Sequence, residues 1–232
     1  MTSTKLSAKK LLVAGVALSA ALGLGACSSD DSSTASDSSS SSSSTQIARP
    51  EPIASLPAIP AGGTTAVALD ADFVAALGTL GLTPATVGGA TLADGSISFP
   101  ITGGTVTVFD KASGYKPYVQ GTLLHEGSGL SLTAAGTTVE LTNFTVDPGT
   151  PARLFGDVSV NGELAVPSAP LFDLNGSTLE PITVDSSGNA ILQGTTVELS
   201  PEAAELLNTT FGTDALAGGL VIGIATITVP TS

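Results

Sequence analysis

Asp157-Val-Ser-Val-Asn161-Gly162-Glu-Leu-Ala-Val166 is the stretch that decides the fold. Asn-Gly accepts the two positive φ angles of a type I′ turn, and apolar alternation flanks it on both sides. The segment therefore predicts a β-hairpin with a two-residue loop. Working outward, the same alternation recurs. Ile97, Phe99 and Ile101 share one face, and Thr105-Val106-Thr107-Val108 repeats the pattern. So do Leu130-Ser131-Leu132-Thr133 and Val139-Glu140-Leu141-Thr142. Strands with one buried face read this way. Phe144 and Val146 have the opposite parity to Val139 and Leu141, which predicts a bulge near Asn143.

Turn chemistry separates these strands at Ala93-Asp94-Gly95, Asn175-Gly176 and Ser186-Ser187-Gly188-Asn189. The spacing predicts a mainly β domain, an antiparallel β-sandwich or barrel. Two short helices interrupt it. Asp70 caps the first, over 71–78, with Asp72 near its positive end and Phe73, Ala76 and Leu77 facing the core. Ser200 caps the second, with Pro201 in its first position, Leu206 and Leu207 facing inward and Asn208 closing it. Their surroundings repeat at an offset of about 130 residues: Val67-Ala-Leu69-Asp70-Ala-Asp72 against Val197-Glu-Leu199-Ser200-Pro-Glu202. Gly136-Thr-Thr-Val-Glu-Leu141 also recurs as Gly194-Thr-Thr-Val-Glu-Leu199. Two explanations stand: pseudo-symmetric halves, or similar strands converging on similar residues.

The N-terminal part reads differently. Lys5, Lys9 and Lys10 precede an apolar run from Leu11 to Leu24, shorter than the roughly 20 residues that span a bilayer. It suits the h-region of an export signal. Leu24-Gly25-Ala26-Cys27 resembles a bacterial lipobox, which implies a lipoprotein whose Cys27 carries acyl chains and anchors the chain to the membrane. Cys27 is the only cysteine. The Ser/Asp run that follows has almost nothing to bury, and Pro50, Pro52, Pro57 and Pro60 favour extended backbone. The expected organisation is a signal peptide over 1–26, a lipidated, disordered Ser/Pro-rich tether over 27–62, and a single β-rich domain over 63–232. The tether would hold that domain on the order of 30 Å from its anchor, in the cell envelope outside the cytoplasmic membrane.

Charge narrows the partners. The chain has 20 acids and 7 bases, a formal net charge of −13. Loss of the three signal lysines makes the mature chain more acidic still. Such a surface excludes nucleic acid, whose phosphates need Lys and Arg. It leaves a small molecule, cell-wall material or another protein as ligand.

Catalytic groupings are absent from the pattern. Glu126-Gly127-Ser128-Gly129 lacks the glycine two places before the serine that a nucleophile elbow needs. His125-Glu126 is not followed by a second histidine, so there is no zincin helix. Asp70/Asp72 and Asp185–Asn189 miss the calcium-loop spacing and read as helix cap and hairpin turn. No metal site is expected. With two tyrosines and no tryptophan, the chain has few rings to line a carbohydrate cleft. The expectation is a non-catalytic binding or structural module without a cofactor. A hydrolase acting on envelope polymer is a distant third reading.

One cluster stands out. Tyr115, Tyr118 and the single histidine, His125, lie close together in G114-Y-K-P-Y-V-Q-G-T-L-L-H-E-G-S-G129. One reading has the tyrosines covering a sheet edge and His125 bonding near the turn expected at 127–129. The other rests on a resemblance. Gly121-Thr-Leu-Leu-His125-Glu-Gly127-Ser-Gly-Leu130-Ser-Leu132, followed by Leu154-Phe-Gly156-Asp157-Val158, resembles the HtaA-type domains of actinobacterial surface haem-uptake proteins. That family is β-rich and often lipid- or wall-anchored. A tyrosine from an early tryptophan-containing motif ligates its haem iron, and a histidine supports it. The segment here that corresponds, Asp72–Leu77, has neither Trp nor Tyr. The resemblance thus implies haem as the alternative ligand, with Tyr115 or Tyr118 serving beside His125.

Overall fold

The computed structural model describes residues 48–231. The signal peptide, Cys27 and the serine-rich run lie outside the described residues. Strands β1 (Ala54–Leu56) and β2 (Thr64–Leu69) lead into helix α1 (Ala71–Thr79). Then come β3 (Thr83–Gly88), β4 (Thr91–Ala93), β5 (Ser96–Pro100) and β6 (Gly103–Val108). The long strands β7 (Val119–Ala134), β8 (Thr137–Asp147), β9 (Arg153–Val160) and β10 (Glu163–Asn175) form consecutive hairpins. The chain ends with β11 (Thr183–Val184), β12 (Asn189–Leu199), α2 (Pro201–Phe211) and β13 (Val221–Pro230).

The strands make one antiparallel sheet in the order β1-β6-β7-β8-β9-β10-β12-β13-β2-β5-β4, with β3 on β7 and β11 on β12. It curls into a half-barrel, so a single bent sheet does the work expected of a sandwich or barrel. The β9–β10 hairpin turns at Asn161 (φ 52°) and Gly162 (φ 85°), as the Asn-Gly pair requires. Ala135 (φ 50°) and Gly136 (φ 82°) make the same turn between β7 and β8 without an asparagine. There the paired strands hold an alanine in the left-handed region against its preference.

The bulge expected at Asn143 is present. Asn143 has φ 54°, and the ladder slips between His125 and Gly129 on β7 and between Thr142 and Thr145 on β8. Its side chain ties three strands together. Oδ1 accepts from the Gly127 amide at 2.9 Å, and Nδ2 donates to Asp157 Oδ2 at 2.9 Å. The Asp157 Oδ1 in turn accepts from the Ser168 amide at 3.0 Å, beside a register shift in β10. These bonds hold the Asp157 carboxyl below its ordinary pKa, the Asn143 bond foremost. Bulges side by side on neighbouring strands bend a sheet, and this line of them supplies the curl.

One face of the sheet carries the core. Ile97, Phe99, Leu132, Val139, Leu141, Phe144, Val158, Phe172 and Val197 are buried there with Leu77 of α1 and Leu207 of α2. Both helix caps are as expected. Asp70 Oδ1 accepts from the Asp72 and Phe73 amides, and Ser200 Oγ accepts from the Ala203 amide at 2.9 Å. The β2–α1 and β12–α2 units flank β13, and both strands pair with it. The Gly-Thr-Thr echo has no such equivalence: Gly136 sits in a turn, and Gly194 (φ 99°) at a bulge inside β12.

Three expectations need correction. The chain does not turn at Gly127–Gly129, because β7 runs straight through; β3 pairs with its second half, as β6 does with its first, so the glycines mark the bulge. Asn208 does not close α2, which continues to Phe211 and ends at Gly212 (φ 66°). The Asn208 side chain instead brackets Leu216, accepting from its amide and donating to its carbonyl. Finally, part of the described end of the stretch assigned to the tether, residues 48–62, joins the sheet. Ala54–Leu56 pair with Val106–Val108, and Ile59 is buried with Ile101, Leu123, Val146 and Val229. Pro52 and Pro57 fall outside that short ladder, so they do not prevent it.

Candidate functional site

The curl leaves a cavity of about 400 Å³ against the core face of the sheet. That volume is in the range of small-molecule sites. Its wall draws on α1 and on most of the strands from β2 to β13, and Phe73, Leu77, Phe99, Leu132, Phe144 and Phe172 line it. Phe99 stands edge-on to Phe144 at 5.1 Å between ring centroids, and Phe144 edge-on to Phe172 at 6.5 Å. Among the described residues that line it there is no Asp, Glu, Lys or Arg.

His125 lies in this wall at 1% exposure. Its ring is 6.4 Å from Phe99, edge-on, and its Nε2 shares a 2.8 Å hydrogen bond with Thr65 Oγ1. Nδ1 makes no hydrogen bond of good geometry, although the backbone of Phe144, opposite in the β7–β8 ladder, favours the charged ring. Burial outweighs that contribution and lowers the pKa from 6.5 to about 4. The imidazole is therefore neutral at pH 7. The neighbouring Ser128 hydroxyl donates to the His125 carbonyl at 3.1 Å and not to the ring.

This has a consequence for stability. The unfolded chain takes up a proton at this residue near pH 6.5, and the folded chain only near pH 4. Between those values the unfolded state binds more protons, so stability falls as pH falls. The loss reaches about 2 kcal/mol by pH 4.5. Asp157 and Asp185, whose pKa values lie below 3.8, lose their contribution only at lower pH. Urea unfolding at pH 7, 5.5 and 4.5 should show this slope in the wild type and lose it in His125→Asn. An equal slope in both proteins would assign it to other groups.

The fold separates the two tyrosines. Tyr118 lines the cavity, with Lys111 Nζ 5.5 Å from its ring centroid. Tyr115 does not line it. It packs edge-on against the buried Phe109 at 4.8 Å, and Arg49 lies over that same phenylalanine at 5.2 Å. So of the three residues singled out in the sequence, Tyr118 and His125 both line the cavity, set well apart by the run of β7 between them, and Tyr115 packs on Phe109. Cys27 lies outside the described residues. The segment Asp72–Leu77 is the body of α1, and it gives Phe73 and Leu77 to the wall.

Thr65 was missed from the sequence. Its partner is 60 residues away, and nothing local marks a threonine in an alternating strand as polar support for a histidine. Phe99 was legible as a core residue but not as the neighbour of His125. The expected hairpin turn at Asp185–Asn189 is confirmed, since Asp185 accepts from the Ser187 and Asn189 amides and from Asn189 Nδ2. No group of three or more His, Cys, Asp or Glu suited to a metal ion occurs among the described residues. Nor, among them, is any helix long and apolar enough to cross a membrane.

No family model matches the chain, and no curated protein does. Among solved structures it has a distant likeness to the C-terminal domain of HtaA from Corynebacterium glutamicum. The TM-score is 0.49 at 13% identity, covering 74% of this chain and 97% of that one. A domain-swapped dimer of a variant of that domain gives a TM-score of 0.43 at 15% identity, over 69% of this chain and 91% of the other.

Proposed function

We propose that this protein is an exported, lipid-anchored binding module that holds a small apolar molecule in the cavity of its half-barrel and carries out no reaction on it. The observation that carries the reading is the cavity itself: about 400 Å³, walled by aliphatic and aromatic side chains, with a few neutral polar groups. Against catalysis stand the uncharged wall, which holds no carboxylate pair, and the engagement of Ser128 with backbone and not with His125. The anchor rests on the lipobox at Leu24–Cys27. Cys27→Ser should release the protein from the membrane fraction; retention would remove the anchor from the proposal. The binding reading is tested with N-phenyl-1-naphthylamine, a neutral dye that brightens in apolar sites. The full chain should raise its emission at micromolar protein, and Leu77→Trp, which fills the cavity, should abolish the rise. Absence of any rise in the wild type would end the reading.

A second reading, haem, is favoured by one observation: Tyr118 and His125 line the same cavity. The Tyr118 phenol on an apolar wall is a donor that suits an iron porphyrin, which would supply redox or ligand-exchange chemistry when bound. Tyr118 would be the ligand in place of the missing early tyrosine; His125, seven residues further on in β7 and roughly 20 Å away along the strand, would line the pocket and not touch the iron. Hemin titration should then give a Soret shift lost in Tyr118→Phe. A shift that survives that substitution, or no shift, rejects this reading.

A further inference from the structure

The absence of charge in the cavity wall points to a class of ligand. The chain carries 20 acidic and 7 basic side chains, yet among the described residues none of them lines this cavity. The polar side chains of the wall include no carboxylate, ammonium or guanidinium: they are the hydroxyls of Thr65, Tyr118, Thr150 and Thr195, and the His125 ring. Thr65 and His125 are bonded to each other and both are buried, at 7% and 1% exposure. They are polar atoms deep in an apolar surface. The His125 ring also reports on its surroundings, since they hold it in its uncharged form. A carboxylate or phosphate brought to the same place would lose its water and find no cation in exchange. A hydroxyl or carbonyl meets a different situation. The Thr65 hydroxyl retains hydrogen-bonding capacity beyond its bond to Nε2, enough for one neutral polar group.

We propose that the cavity takes an uncharged, mainly apolar molecule with a single hydroxyl or carbonyl set at the Thr65–His125 pair, and discriminates against anionic lipids of the same chain length. This rests on the reading of the cavity as a binding site. It adds the ligand class, and it makes the acidity of the chain a property of its outer surface, separate from what it binds.

The experiment is displacement of N-phenyl-1-naphthylamine from the full chain at pH 7.5 by two ligands of equal length, 1-dodecanol and laurate. Dodecanol should displace the dye at a concentration at least tenfold below laurate. A variant separates this from the unequal water solubility of the two. Leu92 lines the cavity and is 47% exposed, so Leu92→Lys places a cation at the rim without disturbing the core. Laurate should gain about tenfold relative to dodecanol in that variant, because the ratio of the two within each protein cancels both their solubilities and any general change in the wall. Laurate equal to or better than dodecanol on the wild type, or no gain for laurate in Leu92→Lys, overturns the assignment of ligand class and leaves the binding reading standing. A chain that takes up neither dye nor ligand overturns the binding reading, and this inference with it.

Discussion

Gly121→Ala should cost the domain about 3–5 kcal/mol, enough to leave a marginally stable fold largely unfolded. Gly121 lies inside β7 with φ 126°, a conformation L residues rarely adopt. A Cβ there would run into the carbonyl oxygen of Thr105 on β6, with the Val106 Cα only 3.0 Å away. Both obstacles are backbone and cannot rotate aside. Gly104 on β6 makes the reciprocal approach, with φ 139° and the Thr122 carbonyl in the way. Two glycines thus let β6 and β7 pass closer than side chains permit. Gly104→Ala should behave like Gly121→Ala. Gly103 is the internal control: it neighbours Gly104, and nothing lies within 4 Å of its would-be Cβ. Gly103→Ala should change stability by less than about 0.5 kcal/mol. Denaturant midpoints of the three variants decide the matter, and equal midpoints for Gly103→Ala and Gly121→Ala would refute the account.

Phe144→Ala should destabilise by about 3–5 kcal/mol, the usual cost of deleting a buried aromatic ring. Phe144 is 2% exposed and stands between Phe99 and Phe172 in edge-on contacts. Such contacts add about 0.5–1.5 kcal/mol each beyond burial. It follows the Asn143 bulge directly, so its backbone is held by the hydrogen bonds of that side chain and cannot slide to close the void. The void would also join the existing cavity, since Phe144 is part of its wall. The variant should therefore fold with a lower urea midpoint and bind the naphthylamine dye with altered affinity. A loss under about 1 kcal/mol would mean that the Phe99–Phe144–Phe172 row is not close-packed.

The residues themselves show why some features were legible and others not. Asn161-Gly162, Asp94-Gly95, the Asp70 and Ser200 caps and the parity change at Asn143 could all be read from the sequence. Each is a local event, settled within about four residues by φ preference or by a side chain bonding its own backbone. The misreadings share an opposite origin. Gly127–Gly129 looks like a turn locally, but β3 and β8 hold the chain as strand there. Residues 54–56 look like a proline-bounded linker, and the open edge of β6 makes them a strand.

The candidate site shows the same division. Tyr115 and Tyr118 are three residues apart with similar neighbours, yet one packs on Phe109 and the other faces the cavity. Nothing in the sequence distinguishes them. By itself the sequence determined an antiparallel β body with two capped helices, a lipobox-bearing leader as its expectation, and a strongly acidic surface. Only the tertiary structure decided that the sheet curls around a charge-free cavity, and that His125 meets Thr65 within its wall. The reason is physical: turns and caps are set by bonds between near neighbours, whereas a cavity is the space left when strands far apart in the chain settle their register.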